Sequence, residues 1–595
     1  MTSIFTINKP KLLDVECFVN EILIMFRDEQ TGQTVSCRHG DEAAVKKIME
    51  SYTTVSFNGN KYDLPMITAY LNGYDSAELK DFSDKLIQSN EPHWIVCREA
   101  GITVPQWDHV DLIDVAPGVM TSLKIYGGRM HCDKMQDLPY PHDSVLTDEQ
   151  KEVVEKYCGN DLITTEQLYK SLLPQIELRI SMSEQYGIDL RSKSDSQIAE
   201  AVIKSEAMKS WNKAVTKMPL PAGTKIQYED PGFIKFLSPQ LNALFQRILA
   251  TEFELSDKGS PVMPEWLSIM TASVGSAKYK LGIGGLHSQE TSQFVEAGET
   301  VLADFDVASF YPNIILQQGM FPPGVGDCFL EIYQEIVNRR IAAKRSGDKV
   351  VADALKITLN GCFGKLGSPY SFLYAPRLLI QVTITGQLAL LMLIEKLHAA
   401  GIECKSANTD GIVLSYPKQL EFTTFELMHE WMQITGYELE RTDYELIAAR
   451  DVNNYVAMTT DGKIKRKGIF TPAGLMKNPD REIVYEAVAN YVATGGDIGD
   501  YIRGCTDIRK FLTVRSVKGG AIWGEQYLGK AVRYYHSRVV PKEVYIRYQG
   551  TGNRVPMSES CRPMMDMFGF FPDDIDYDYY IGKANDLLLE IGHYG

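Results

Sequence analysis

The chain of 595 residues contains no CxxC pair and no cysteine–histidine cluster at zinc-binding spacing. Its ten cysteines, Cys17, Cys37, Cys97, Cys132, Cys158, Cys328, Cys362, Cys404, Cys505 and Cys561, are scattered. That spacing excludes a disulfide framework or zinc module and predicts free thiols in a reducing compartment. The opening stretch MTSIFTINKPKLLD lacks the basic region and apolar run of a secretory leader, so a cytoplasmic protein is expected. No hydrophobic run is clean enough for a membrane span. The longest, Leu378 to Ile394, is broken by Gln381, Thr383, Thr385, Gly386 and Gln387, which predicts a buried helix and no membrane partner. Internal repeats and low-complexity tracts are also missing.

Positive charge is in deficit, with 61 Lys and Arg against 77 Asp and Glu and a formal net charge of -16. The sum argues weakly against a polyanionic partner, because affinity for phosphate comes from Lys and Arg. The distribution says more. From Lys463 to Arg547 there are 16 Lys or Arg against 8 Asp or Glu, whereas Asp566 to Glu590 is acidic, so a basic stripe sits inside an acidic protein.

Hydrophobic residues make up 44% and charged residues 23%, an ordinary globular composition, and the length calls for several compact units. The first 60 or so residues show β-type runs (LLDVECFV, EILIMF, TTVSFNG), followed by helical pattern from Leu64 and from Thr147 to Leu173. This predicts an α/β unit ending near residue 185. Residues 186 to 300 read as connecting structure with one helical stretch. A strand-like VLADFDVASFYP then leads into a charged helical segment, Leu330 to Gly364, the apolar helix, and a strand pair around SANTDGIVLSY. Beyond Phe470 the chain reads as basic and helical.

Asp14 and Glu16 stand two apart in a strand-like run and so leave the same face, where two carboxylates repel unless a cation sits between them. Asp63 follows a strand and turn, and Asp161 lies on a predicted helix with Tyr157 one turn earlier. Singly, Asp63 reads equally well as a helix cap and Asp161 as an exposed acid. Together, LLDVECF, SFNGNKYDLPMI and YCGND resemble, in order and spacing, the exonuclease motifs DxE, Nx3(F/Y)D and YxxxD of family B DNA polymerases. The resemblance implies an RNase H-like domain in which Asp14, Glu16, Asp63 and Asp161 hold metal ions and Tyr157 places the attacking water. It also implies that Asn58 contacts a single-stranded 3′ end.

Three further segments resemble the polymerase motifs of the same family. ADFDVASFYPNII matches DxxSLYP, which makes Asp306 the metal ligand with Val307 beside it and leaves Asp304 as the competing candidate. The match places Ser309, Phe310 and Tyr311 at the nucleotide, Tyr311 as the ring that excludes a ribose 2′-hydroxyl. KITLNGCFGKLG is similar to KxxxNSxYG, with Gly361 for Ser and Phe363 for Tyr. It implies that Lys356 and Asn360, with Arg340 and Lys344 upstream, grip the incoming triphosphate, and that Gly364 ends the helix. SANTDGIVLSY resembles DTDS on a hairpin turn, with Asn408 for the first Asp and Gly411 for Ser; Asp410 keeps the ligand role. Weaker matches are LGIGGLHS to a YxGG element and NNYVAM, around Tyr455, to a segment that follows primer DNA, with Lys465, Arg466 and Lys467 expected along its phosphates.

The resemblance implies a multidomain α/β and α+β chain, an RNase H-like exonuclease domain followed by a right-hand polymerase. The expected map is exonuclease 1–185, connecting region and N-terminal palm 186–300, palm 301–328, fingers 329–366, palm 367–470, and thumb with C-terminal tail 471–595. It implies two Mg²⁺ ions per active site, with Mn²⁺ as substitute, primer–template DNA and dNTPs as partners, and a monomer with an unknown processivity or helicase partner. Only about 44 residues separate Pro312 from Ile357, which leaves no room for the insertions of protein-primed relatives. A compact phage-type replicase in the host cytoplasm, priming from a nucleic-acid 3′-hydroxyl, is the expectation. A repair or lesion-bypass polymerase and a catalytically silent DNA-binding subunit stay open as rivals, the second prompted by Asn408 and Gly411.

Overall fold

The strand Lys11–Phe18 alternates its side chains between two buried faces, as a strand with helices on both sides must. The computed structural model to which it belongs describes residues 5–118, 120–567 and 569–593. Leu13, Val15 and Cys17 pack with helices Glu42–Ser51, Asp63–Leu71, Ser76–Gln88 and His93–Glu99. Leu12 and Phe18 face the other way, onto Val154, Cys158, Leu162 and Leu168 of the long helix Asp148–Tyr186. That helix starts at a capping box, Thr147 with Gln150, and ends at Gly187 in the left-handed region (φ 66°).

The sheet containing Lys11–Phe18 has five strands in the order Thr34–Cys37, Glu21–Asp28, Lys11–Phe18, Thr54–Ser56, His109–Asp111. The first three run antiparallel, while Thr54–Ser56 and His109–Asp111 run parallel to Lys11–Phe18. Its compact unit comprises residues up to Ser194 together with Pro472–Ile483 and Ile502–Tyr580. The late segments add a second sheet, in the order Arg547–Tyr548, Thr513–Trp523, Gln526–His536, Cys561–Pro563. Val514 and Ala531 of this sheet close on Ile125 and Met135.

Two expectations are corrected here. The chain beyond Phe470 is not mainly helical, because TVRSV and AVRYYH carry the β-branched and aromatic residues that suit a pleated surface, and this outweighs the helical reading. Residues 471–595, expected as one thumb with a tail, divide between the two compact units.

The second unit comprises Asp195–Thr471, Val484–Tyr501 and the residues from Ile581. Its antiparallel sheet of ten strands runs Ile464–Arg466, Asn454–Thr459, Leu439–Asp451, Thr300–Val307, Gly411–Pro417, Glu403–Asn408, His287–Ser288, Ala277–Lys280, Ala272–Val274, with Gln293–Glu296 also on Leu439–Asp451. Helix Pro376–Ala399 is the expected buried helix, and the polar residues that interrupt it all have work in the core. Gln387 Nε2 donates to the carbonyls of Gly282 (2.8 Å) and Gly284 (2.7 Å), and its Oε1 accepts from the Gly282 N–H. Gln381 brackets the Glu229 peptide, Thr385 meets the Tyr228 hydroxyl at 3.0 Å, and Gly386 makes room for the Phe310 ring.

The charged helical segment is two helices, Cys328–Ser346 carrying Arg340 and Lys344 and Lys349–Lys365 carrying Lys356 and Asn360, separated at Gly347 (φ 76°) where Asp348 caps the second. Gly364 lies within the second helix rather than ending it. Helix Asp195–Trp211, expected in the connecting region, packs on this pair through Gly361. A Cβ there would come within 2.7 Å of the Ala199 Cβ and the Asp195 carbonyl, a physical reason for glycine at that position.

Candidate active sites

Because side chains alternate along a strand, Asp14 and Glu16 share the face of Lys11–Phe18 that helix Asp148–Tyr186 covers, and Asp161 on that helix meets them there. One carboxylate oxygen from each of Asp14, Glu16 and Asp161 lies within 4.8 Å of the others, the one such acid group among the described residues. Burial and then the Asp161 charge push Asp14 up to about 7. Glu16 is raised well above the usual range by burial and by Asp14, and burial raises Asp161 against the pull of Lys124.

Asp63 is buried at the start of its helix and also raised, by burial first and Asp14 second. It stands beside the group rather than within it. Gly59 is obligatory next to it, since a Cβ would fall 1.8 Å from Ser56 Oγ and 3.1 Å from Asp63 Oδ2. Tyr157 is buried on the face of Asp161, and the Lys124 ammonium donates to its hydroxyl. A cavity of about 800 Å³ opens beside Glu16, lined by Asn58, Lys61, Tyr62, His93 and His142 among others.

Three residues that spacing did not reveal complete this site. Lys124 Nζ lies 3.7 Å from Asp161 and 3.8 Å from Asp137, so one cation serves two carboxylates and a phenol. The Cys158 thiol donates to Asp14 Oδ2 at 3.2 Å. Asp111 holds the Asn58–Asn60 turn by accepting from both backbone N–H groups, at 2.8 and 3.0 Å, which fixes Asn58 at φ 71°.

In the second unit, Thr300–Val307 lies between Gly411–Pro417 and Leu439–Asp451, and its register sets Asp306 opposite Gly411. The hairpin turn holds Thr409 at φ 45°, and the Val307 N–H donates to the Asp410 carbonyl at 2.7 Å. Asp306 is half-buried and Asp410 exposed; with Asp304, Asn408, Tyr455, Lys465, Arg466 and Lys467 they line a cavity of about 250 Å³. Burial, then Asp304, pushes Asp306 up to about 6, with Asp410 adding and Lys465 and Lys467 opposing. Partial desolvation also raises Asp410, against Lys467.

Asp304 is buried, accepting from the Tyr444 hydroxyl at 2.7 Å and from Lys465 Nζ at 3.0 Å. Asp304 already has a cation partner in Lys465, and Lys465 is engaged with it rather than free for a phosphate. Arg466 and Lys467 keep their places at the cavity, and Tyr455 is a buried ring with Lys467 Nζ 5.7 Å from its centroid.

Ser309 takes a left-handed conformation (φ 48°, ψ 44°) at the start of helix Phe310–Gln318, and Arg340 Nη1 donates to its Oγ at 2.9 Å. Arg340 and Lys344 line one cavity of about 600 Å³ with Ser309, and share a second of about 280 Å³ with Lys349 and Lys356. The structure thus brings together the three predicted cations and adds Arg345 and Lys349. Asn360 is exposed one turn beyond Lys356 and lines neither cavity. Tyr311 packs on Phe363 with ring centroids 4.5 Å apart, and burial with the nearby Asp410 charge pushes its phenol up to about 12. Phe310, expected at the nucleotide, is a core residue packed against Tyr437 and Gly386.

No protein-family model matches the chain, and no curated protein matches it. Among solved structures it is similar to the family B DNA polymerase from the hyperthermophilic archaeon Pyrobaculum calidifontis, at 14% identity, with 99% of this chain and 78% of that chain covered and a TM-score of 0.42.

Proposed function

We propose that the chain is a template-directed DNA polymerase that extends a primer 3′-hydroxyl with dNTPs and carries its own 3′-to-5′ proofreading exonuclease. The observation that carries the reading is the strand register that lays Asp306 against Gly411, next to Asp410, in a unit that also gathers Arg340, Lys344 and Lys356 at one cavity. Three cations around one space suit a polyphosphate, with Arg340 oriented by Ser309.

The donor set fits hard divalent cations. Asp14, Glu16 and Asp161 offer only carboxylate oxygens gathered in one place, and burial first, with mutual repulsion adding at Asp14 and Glu16, favours their protonated forms, a penalty on the charged forms that a cation would relieve. Mg²⁺ or Mn²⁺ held there, with Asp63 alongside, or by Asp306 and Asp410, would supply charge neutralisation for the attacking and leaving oxygens of an in-line displacement. The residues of the chain do the positioning. Tyr311, packed at a tilt on Phe363, presents a bulky edge where a 2′-hydroxyl would lie, and Lys124 orients Tyr157 and Asp161 over the exonuclease carboxylates. The mixed five-strand order and covering helix support the RNase H-like reading of the first unit. The two helices that fill the segment between Pro312 and Ile357 support priming from nucleic acid rather than from a protein, as in a compact phage-type replicase.

The test is extension of a primed DNA template in Mg²⁺. Wild-type protein should extend it and Asp410→Ala should abolish extension. Asp14→Ala with Glu16→Ala should instead stop degradation of single-stranded 3′ ends and spare extension. Wild-type protein that binds DNA without extending it would favour the silent-subunit reading, and extension by Asp410→Ala at the wild-type rate would remove the polymerase assignment.

A further inference from the structure

The first unit carries a concentration of positive charge that neither carboxylate site uses. From Arg515 to Arg554 there are eight Lys or Arg and two acids, Glu525 and Glu543, in a protein of net charge -16. Two of these cations are placed against each other. Arg547, on the edge strand Arg547–Tyr548, pairs across the 549–553 turn with Arg554 in an antiparallel bridge. Like charges directly opposite each other on paired strands destabilise the pair. Both guanidinium groups also lie over one ring, that of Tyr545, at 5.1 and 5.9 Å from its centroid. Both arginines are exposed, and neither forms an ion pair with a described residue. Beside them the strand Thr513–Trp523 bulges between Ser516 and Ala521, where Gly519 (φ 83°) and Gly520 (φ 94°) allow the turn, and exposed Lys518 leaves that bulge. The Gln549 N–H donates to the Gly520 carbonyl at 2.9 Å and ties the turn to the bulge.

A pair of opposed arginines on one aromatic ring, without a carboxylate, is an arrangement that a polyanion stabilises. We propose that Arg547, Arg554 and Tyr545, with Lys518, form a binding site for the phosphodiester backbone of single-stranded DNA, which holds a strand whose 3′ end enters the carboxylate site of the same unit. Sheet register connects the two places. Arg547 pairs with Ile522 and Ile522 with Tyr527, so Arg547 and Tyr527 sit two strand spacings, ~10 Å, apart. The Tyr527 hydroxyl donates to Asp137 at 2.9 Å, and Asp137 is 3.8 Å from Lys124 of the carboxylate cluster. Aromatic and cationic groups together are the usual means of holding a single strand without regard to sequence. The proposal rests on the exonuclease reading of the first unit.

The test uses the full-length chain and fluorescein-labelled oligo-dT of about 20 nucleotides, titrated at several salt concentrations in EDTA, so that the strand is bound and not degraded. Arg547→Ala with Arg554→Ala should weaken binding at least tenfold at low salt. It should also lower the slope of log K against log salt by about 1.4, the value for two lost phosphate contacts on a single strand. Arg547→Lys with Arg554→Lys should restore the slope, and Tyr545→Leu should lower affinity while leaving the slope unchanged. Hydrolysis of a trinucleotide in Mg²⁺, too short to reach the arginines, should stay at the wild-type rate in all three and show that the unit is folded. Arginines at a sheet edge also discourage edge-to-edge aggregation, and an alanine variant that aggregates yet binds oligo-dT with wild-type affinity and slope overturns the proposal. A wild-type chain that binds oligo-dT but hydrolyses no 3′ end leaves the phosphate site standing and removes the exonuclease reading. Failure to bind oligo-dT at all removes the phosphate site.

Discussion

Gly411 lies so close to Asp306 that a Cβ at residue 411 would sit 2.3 Å from the Asp306 Oδ1. The departure from serine in the DTDS-like motif therefore has a steric cause, because the Asp306 carboxylate occupies the space. Gly411→Ala should push that carboxylate aside and lower primer extension by at least tenfold, about 1.4 kcal/mol in the barrier, with 3′-end degradation unchanged. Extension at the wild-type rate by a folded Gly411→Ala protein would show that the Asp306 position is not critical.

Lys124 is the only cation near Asp161 among its described ion pairs, and it also holds Tyr157. Lys124→Ala should cut degradation of single-stranded 3′ ends by 10- to 100-fold without affecting extension. Tyr527→Phe, one contact further out through Asp137, should have a smaller effect in the same direction. Equal activities in all three proteins would reduce Lys124 to a structural ion pair.

Asp14 titrates near 7 in the folded chain against an ordinary value of 3.8, so between about pH 4 and pH 7 the native state binds more protons than the unfolded state. Stability of the metal-free protein should then fall as pH rises through that window, because the penalty is absent below the unfolded value and complete above the folded one. Thermal melts in EDTA should show this decline, Asp14→Asn should flatten it, and Mg²⁺ should restore the melting temperature above pH 7. A melting temperature in EDTA that rises steadily from pH 5 to pH 7.5, unaffected by Asp14→Asn, would contradict the assignment.

Among the described residues Tyr311 is held by packing on the Phe363 ring. Tyr311→Ala should admit ribonucleotides, raising their kcat/KM relative to dNTPs by 10-fold or more. Unchanged sugar selectivity would show that the ring does not face the sugar.

Much of this was legible in the chain because it is local. The two-residue spacing of Asp14 and Glu16 survives folding on one strand face, and Asn408 to Gly411 form the expected hairpin turn. Partners that depend on long-range packing were not legible. Lys124 is 33 residues from Tyr157, and nothing around it marks it as different from a solvated lysine. Lys465 reads as a phosphate ligand only until Asp304, 161 residues away, is brought beside it. The helical reading beyond Phe470 fits Glu482–Thr494, Ile498–Arg503 and Tyr577–Glu590 but missed the strands Thr513–Trp523 and Gln526–His536, where charge masked the β-type alternation.

The unit that begins the chain is closed by residues near its end. Ile125 and Met135 are covered by Val514 and Ala531, so during synthesis that apolar surface stays open to water until almost the whole polypeptide has emerged. A fragment stopping at Ser194 would carry all four acids of the N-terminal site and still lack the wall behind Lys124. The N-terminal unit therefore cannot be separated by cutting after Asp161, the last of its four acids.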